Sequence, residues 1–290
     1  MKISELFKEK TLLSFEIFPP KPTADERVIY ETLDGLTGLR PDFISVTYGA
    51  GGGKNGSKTI QIASDVKHNY GIESAAHLPC ISITKDQAVQ ILDSLEENGI
   101  ENVLALRGDI SPGTVPAGDF SHANELIEFI RERYDFDIIA ACYPEGHSES
   151  KNIVEDMNYL KQKVDCGVSH LITQLFLDND YFYAFRERTA IAGINVPIEA
   201  GIMPVTNKAQ IERMVKLCGV HLPKKFMKIM ERYENNPEAL RDAGIAYAID
   251  QIVDLISQDV DGIHLYTMNN PYVAKRIYEA VHRLLAVQHC

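Results

Sequence analysis

Paired cysteines, long apolar runs and an excess of positive charge are all missing from this sequence. The five cysteines, Cys80, Cys142, Cys166, Cys218 and Cys290, are odd in number and widely spaced with no C-x-x-C. That argues against a disulfide framework or a zinc cluster and fits a reducing cytosol. No apolar stretch is long enough to span a bilayer. The start, Met1 to Lys8, is charged throughout and reads as a short amphipathic helix, so a cytoplasmic location is expected. Lysine and arginine total 29 against 41 acidic residues, for a formal charge of -12. Nucleic acid and anionic membrane both reward clustered Lys and Arg, so neither is expected as a partner, and a small molecule is the default. No Pro/Ser-rich linker or shift in composition interrupts the chain, which reads as one domain over residues 1–290.

What the sequence does have is a repeat. Short β-rich apolar runs begin near residues 11, 42, 72, 101, 137, 168, 195 and 260. Helical patterns lie between them, including Lys85 to Asn98, Ala123 to Tyr134, Ile153 to Cys166 and Tyr181 to Ala192. Eight strand-helix units in a chain of this length predict an α/β fold, a (β/α)8 TIM barrel. The long last gap predicts extra helices before the eighth strand: Lys208 to Cys218, Pro223 to Tyr233, and one opening at Asn236-Pro237-Glu238, with Asn as cap and Pro in the first turn. A helix from Asn270-Pro271 to Leu285 would close the barrel.

Alternate strand positions differ in kind. Leu13, Phe15 and Ile17 are apolar against polar Ser14 and Glu16. Ile44 and Val46 stand against Ser45 and Thr47, and Leu171, Thr173 and Leu175 against Ile172, Gln174 and Phe176. One face packs on helices and the other points into the barrel, so polar residues near the strands' carboxyl ends should form the functional mouth. Glu16 is the most informative of them. It is a carboxyl inside a greasy strand, and Pro19-Pro20 stops that strand's ladder just beyond it. Such a group is either a proton-transfer residue or half of a structural ion pair. Collected at the same end are Thr47, His77, Arg107, Asp109, Tyr143, His147, Gln174, Tyr266 and Asn269. Two carboxylates and two histidines could hold a metal, as in barrel hydrolases, but no H-x-H pair is present and Arg107 would repel a cation, so no metal is assigned. Gly51 to Gly56 matches G-x-G-x-x-G after a strand, but His77 rather than an acid ends the next strand, so a loop over the mouth is the better reading than a dinucleotide fingerprint.

With these residues in place, the chain resembles the methylenetetrahydrofolate reductase family in its short bacterial form. The resemblance is carried by Ser14-Phe15-Glu16, Phe18-Pro19-Pro20-Lys21, Ser45-Val46-Thr47-Tyr48-Gly49-Ala50, Ala76-His77-Leu78 and Leu104 to Asp109. It continues in Tyr143-Pro144-Glu145 with His147, Ile172 to Phe176, and Leu265 to Asn269. These segments fall in order on almost every strand and span essentially the whole chain. The resemblance implies FAD-dependent reduction of 5,10-methylenetetrahydrofolate to 5-methyltetrahydrofolate, with NAD(P)H as electron source. It places FAD on Thr47, His77, Leu106, Arg107, Gly108, Asp109, Tyr143, His147, Asp156 and Lys163. Arg107 and Lys163 suit the pyrophosphate and the flavin's polar edge, and Asp156 suits a ribose hydroxyl. Glu16 and Asp109 are the expected catalytic residues. Glu16 would protonate the nitrogen that leaves when the methylene bridge opens, and Asp109 would stabilise the resulting iminium cation. Substrate contacts would come from Glu16, Thr47, Asp109, Gln174, Lys208, Tyr266 and Asn270. At Lys208 the better-known form has an aromatic residue and at Asn270 an arginine, which leaves ferredoxin or a partner subunit open as electron source. A homo-oligomer is expected, and no control by the C-terminal regulatory region of the eukaryotic enzyme.

Overall fold

The computed structural model describes the chain except for residues 21–24, 49–52, 109–115 and 288–290, and leaves aside the side chains of 53–55 and 213–217. Eight parallel strands close on themselves in sequence order. They are β1 (Leu12–Ile17), β2 (Phe43–Val46), β3 (Glu73–Pro79), β4 (Asn102–Leu106), β5 (Asp137–Cys142), β6 (His170–Thr173), β7 (Ile198–Ile202) and β8 (Gly262–Tyr266). The helices are α1 (Arg27–Thr37), α2 (Gly53–His68), α3 (Lys85–Glu97), α4 (Ala123–Arg131), α5 (Ile153–Asp165) and α6 (Asn179–Ile191). After β7 come α7 (Lys208–Cys218), α8 (Lys224–Tyr233) and α9 (Pro237–Ser257), and α10 (Pro271–Leu285) closes the ring. The (β/α)8 barrel and the three helices between β7 and β8 are those expected from the repeat and its long last gap.

Local chemistry explains the helix starts. Thr84 and Gln87 exchange side-chain and backbone hydrogen bonds in a capping box at α3. Asn236 and Asn270 cap α9 and α10 with proline following each. Two expectations shift. Gly53 to Gly56 lies in the first turn of α2 rather than in a loop, while Gly51 and Gly52 fall outside the described residues. Glycine at 56 answers a close approach, since a Cβ there would meet the Tyr48 hydroxyl at 2.7 Å. At the N-terminus the expected helix is a 3₁₀ segment, Ile3–Lys8, with Ile3 fully buried.

The alternation places the core. Outward-facing Leu13, Phe15, Ile17, Ile44, Val46 and Leu171 join the inner faces of the helices in the main apolar layer. Full burial of each such side chain stabilises the fold by about 2 kcal/mol. Leu12, Phe43, Leu104, Ile139 and Ile172 fill the lower interior of the barrel together with Ile3. The alternation read through Phe176 runs too far: β6 ends at Thr173, and Phe176 packs with the outer layer. A separate cluster of Leu175, Met203, Val205, Phe226, Met230 and Leu240 seats α7 to α9 beside the ends of β6 and β7.

Candidate active site

Register decides which inward side chains meet. In the ladder β1 pairs with β8 so that Glu16 lies opposite Tyr266 and Ser14 opposite His264, and with β2 so that Glu16 lies opposite Ser45. The Glu16 side chain is only 11% exposed. Its Oε2 sits 3.5 Å from His77 Nε2 and 3.7 Å from His264 Nε2. Burial pushes His77 down from 6.5 to about 4, with the Glu16 charge opposing and His264 reinforcing that shift. The imidazole is therefore neutral at ordinary pH, and the contact between Glu16 and His77 is not a salt bridge. The His77 Nε2 is buried and has no hydrogen-bond partner among the described residues.

The loop after β8 fixes the backbone around the acid. Thr267 Oγ1 donates to the Glu16 carbonyl at 2.7 Å. Asn269 grips Phe18 from both sides, accepting from its N–H and donating to its carbonyl, each at 2.8 Å. Tyr266 is inward-facing and donates its hydroxyl to the Thr173 carbonyl at 2.7 Å. Burial holds that phenol well above its ordinary range. Gly201 makes room for it, because a Cβ there would lie 2.2 Å from the Thr173 carbonyl oxygen and 2.9 Å from the Tyr266 hydroxyl. Gln174 is tied to the neighbouring strand end, its N–H on the Cys142 carbonyl and its Oε1 accepting from Leu175 N–H.

A second group of expected residues surrounds the ends of β4 and β5. Arg107 forms a two-pronged pair with Glu149, at 2.5 and 2.8 Å, and holds that carboxyl below its usual range. Leu106 and Arg107 offer their carbonyls to Cys80 and Ile81, and Gly108 follows in a left-handed conformation at φ 89°. The rings of Tyr143 and His147 meet edge to face at 4.6 Å. Asp156 is buried and accepts from His147 N–H and Ser150 Oγ, so it orders the loop before α5. Lys163 reaches from α5 to the Ala141 carbonyl at 2.9 Å and joins no ion pair among the described residues. Burial lowers its pKa. A half-buried ammonium held, among the described residues, by a carbonyl has unmet demand for an anion, and Arg107 adds a guanidinium engaged by exposed Glu149. These residues, with unpartnered His77 Nε2, fit an anionic dinucleotide cofactor.

Of the other expected positions, Thr47 lies just past the end of β2, next to the strand that carries Glu16. Thr47 N–H bonds to the Ile17 carbonyl, and its own carbonyl accepts from Thr59. Lys208 is exposed and paired with Glu234 at 2.9 Å. Asn270 spends its side chain capping α10 at Val273 N–H. Asp109 lies outside the described residues. Among the described residues no group of three or more His, Cys, Asp or Glu side chains could hold a metal ion.

Sequence reading missed a polar chain below Glu16. Ser14 Oγ lies 2.8 Å from Glu199 Oε1 and 2.6 Å from His264 Nδ1, and His170 Nε2 lies 3.7 Å from Glu199 Oε2. All four residues are fully buried. The signal was present in Gly262-Ile263-His264-Leu265-Tyr266, where the alternation puts His264 on the same face as Tyr266.

Comparison with known proteins points to one family. A family model described as methylenetetrahydrofolate reductase matches residues 2–282. The 5,10-methylenetetrahydrofolate reductase of Salmonella typhimurium is 36% identical over 94% of this chain and 90% of its own length. Methylenetetrahydrofolate reductase (NADH) 1 of Arabidopsis thaliana is 34% identical over 90% of this chain, which spans 46% of that longer relative. Among solved structures, a Clostridium thermocellum protein described as binding two copies of 5-methyl-5,6,7,8-tetrahydrofolic acid superposes with a TM-score of 0.65. Its identity is 15%, and the match covers 97% of this chain and 98% of that one. At that identity it speaks for the barrel alone.

Proposed function

Because the chain belongs to the methylenetetrahydrofolate reductase family, an oxidoreductase family of folate one-carbon metabolism, we propose that it reduces 5,10-methylenetetrahydrofolate to 5-methyltetrahydrofolate with FAD as cofactor and NAD(P)H as electron source. The observation that carries the reading is Glu16, a buried carboxyl at the barrel mouth, flanked by neutral His77 and anchored through its own carbonyl by Thr267.

When bound, FAD would supply the hydride chemistry. Lys163 and Arg107 would hold its pyrophosphate, His77 and Leu106 to Gly108 would line its polar edge, and Tyr143 with His147 would wall it. The protein's own task is the proton. The methylene bridge becomes an electrophile only when one of its two nitrogens departs, and a carboxylic acid within reach of that nitrogen makes it a better leaving group. Glu16 is suited to this, since a barrel mouth closed by bound substrate excludes water and leaves few competing proton sources. Its neighbours matter as much as its position. A protonated His77 would hold Glu16 as a carboxylate, whereas a neutral one does not. Gln174 and Tyr266, at the ends of β6 and β8, frame the space in front of the acid, and their fixed hydrogen bonds keep that frame rigid. The names of the Salmonella typhimurium and Arabidopsis thaliana relatives, a 5,10-methylenetetrahydrofolate reductase and a methylenetetrahydrofolate reductase (NADH), support the choice of folate and nicotinamide.

Purified protein should carry or take up FAD and be reduced anaerobically by NADH or NADPH. In Glu16→Gln that reduction persists while transfer to methylenetetrahydrofolate falls by roughly a thousandfold, the loss expected for a general acid. A protein that binds no FAD, or a variant that loses both half-reactions equally, would refute the assignment.

A further inference from the structure

The proposed chemistry uses Glu16 and leaves a second buried carboxyl unexplained. Glu199 is fully buried within the barrel, on β7, and a hydrogen-bonded chain leads from it toward the acid at the mouth. Its Oε1 meets Ser14 Oγ at 2.8 Å, Ser14 Oγ meets His264 Nδ1 at 2.6 Å, and the other edge of that imidazole, Nε2, faces Glu16 Oε2 at 3.7 Å and Ser45 Oγ at 3.5 Å. We propose that Glu199 is a proton store for the active site, which recharges Glu16 through Ser14 and His264 while bound substrate keeps water out. This rests on the reading of Glu16 as the acid that opens the folate bridge.

Every atom of the route has the donor and acceptor capacity it needs. Ser14 has one proton and must donate to one neighbour and accept from the other. If Glu199 is protonated and donates to Ser14, Ser14 donates to His264 Nδ1, and His264 presents an N–H at Nε2 to an ionised Glu16. If Glu199 is ionised, each bond reverses, His264 carries its proton on Nδ1, and bare Nε2 accepts from a protonated Glu16. The two arrangements hold the same number of protons. In passing from the first to the second, the Glu199 proton goes to Ser14 Oγ, the Ser14 proton to His264 Nδ1 and the Nε2 proton to Glu16. Three bonds to hydrogen break and three form, and one negative charge moves from Glu16 to Glu199. The last gap exceeds a hydrogen bond and closes with a shift of about 1 Å in the Glu16 carboxyl. After product leaves, a solvent proton arriving at the open mouth runs the chain backward and refills the store.

The surroundings favour a neutral Glu199 at rest. Among the described residues its second oxygen, Oε2, is buried with no hydrogen-bond partner, and faces a His170 ring whose two nitrogens are also unpartnered there. A carboxylate left in that state is expensive, whereas a carboxylic acid is tolerable. The polar and titratable groups around it are Ser14 from β1, His264 from β8, His170 from β6, and the carboxyls of Asp42 and Asp261 just before β2 and β8. Burial raises Glu199 to about 7, Asp42 and Asp261 push the same way, and His264 with Ser14 opposes them. His170 brings no charge, being held neutral near 4 by burial against the pull of Asp137. Beneath it the Phe7 ring packs at 5.0 Å, so the lower end of the chain is sealed and the mouth is its only outlet among the described residues.

The test uses FAD-loaded protein and two readouts. Infrared difference spectra across a pH titration should show one protonated carboxyl surviving near neutral pH, lost in Glu199→Gln and kept in Glu16→Gln. Stopped-flow transfer from chemically reduced FAD to methylenetetrahydrofolate should fall about tenfold at pH 6 and less than about twofold at pH 8 in Glu199→Gln, since Glu199, raised to about 7, holds its proton at the lower pH and has already lost most of it at the higher. Ser14→Ala, which cuts the route while leaving the Glu199 carboxyl in place, should give the same pH profile, and the double variant should be no worse than either. Reduction of FAD by the nicotinamide should be unchanged in all of them. If Glu16→Gln abolishes folate reduction but Glu199→Gln and Ser14→Ala keep the wild-type pH profile, the store is refuted and the acid stands. If Glu16→Gln still reduces folate, the acid reading falls and the store with it.

Discussion

Three buried groups with displaced protonation make the stability of this fold depend on pH in a way that one substitution should double. His77 and His170 are each held near 4 against an ordinary 6.5, and Glu199 near 7 against 4.5. A histidine depressed by burial contributes stability that is intact above its unfolded pKa and is lost as pH falls from 6.5 toward 4. A carboxyl raised by burial does the reverse: its contribution is intact below 4.5 and is lost as pH rises toward 7. Between about pH 5 and 6.5 the unfolded chain therefore binds two protons on these histidines that the native state refuses, and the native state binds one on Glu199 that the unfolded chain refuses. The net uptake on unfolding is close to one proton, so stability should rise with pH at about 1 kcal/mol per unit. Removing the opposing group in Glu199→Gln leaves the two histidines alone, and the slope should become roughly 2 kcal/mol per unit. His147, lowered by burial, adds slightly to both slopes, while Glu145 and Asp261, raised by burial, subtract slightly from both. Urea unfolding at half-unit intervals across this window, followed by far-ultraviolet circular dichroism, measures the slope directly. Equal slopes in the two proteins would mean that Glu199 is ionised in the native state, and a stability that falls with rising pH in the wild type would mean that the histidines are charged.

Two further substitutions probe the frame of the site. Gly201→Ala places a methyl 2.2 Å from the Thr173 carbonyl oxygen and against the Tyr266 ring. No flexible side chain can yield to the first contact, so a loss of at least about 3 kcal/mol is expected in thermal or urea unfolding, and a loss below about 1 kcal/mol would show that β6 and β7 separate freely. Asn269→Ala removes both hydrogen bonds to the Phe18 backbone and puts alanine at φ 53°. We expect a destabilisation of about 2 to 3 kcal/mol and a slower folate half-reaction with unchanged flavin reduction. Wild-type kinetics in a folded Asn269→Ala would show that the clamp on Phe18 does not position Glu16.

Much of the barrel was legible because periodicity is written locally. The alternation in Leu13 to Ile17 assigns Ser14 and Glu16 to the interior, Pro19-Pro20 marks where β1 ends, and Asn-Pro pairs announce α9 and α10 before any contact is known. Glu16 and His77 could be placed at the mouth for the same reason. Which inward residues touch was not legible, because that depends on stagger between strands. Nothing in Asn195 to Ile202 says that Glu199 faces Ser14, some 185 residues away in sequence. Glu199 follows Pro197 and Ile198 in a segment read as mainly apolar, so a buried acid there was passed over. The glycine-rich stretch misled differently: three glycines suggested a loop, but glycine at 56 serves a helix packed against Tyr48.

The position of the polar chain also explains why the 3₁₀ segment at the start of the chain is built as it is. A barrel whose lower interior holds only Leu12, Leu104, Ile139 and Ile172 would exclude water by itself. This one carries His170 and Glu199 at the same level, each with polar atoms that lack partners among the described residues. Water reaching them would hydrate Glu199, stabilise its carboxylate and draw its proton away from the route to Glu16. Ile3 is buried beneath the strands, its N–H on Asn102 Oδ1 and the Ser4 N–H on Asp137 Oδ2, and Phe7 closes over His170. Asp137 thus ties down the plug with the same carboxylate whose charge is felt by His170. Dryness at the bottom of the barrel and proton supply at its top are one requirement, met by residues at opposite ends of the strands.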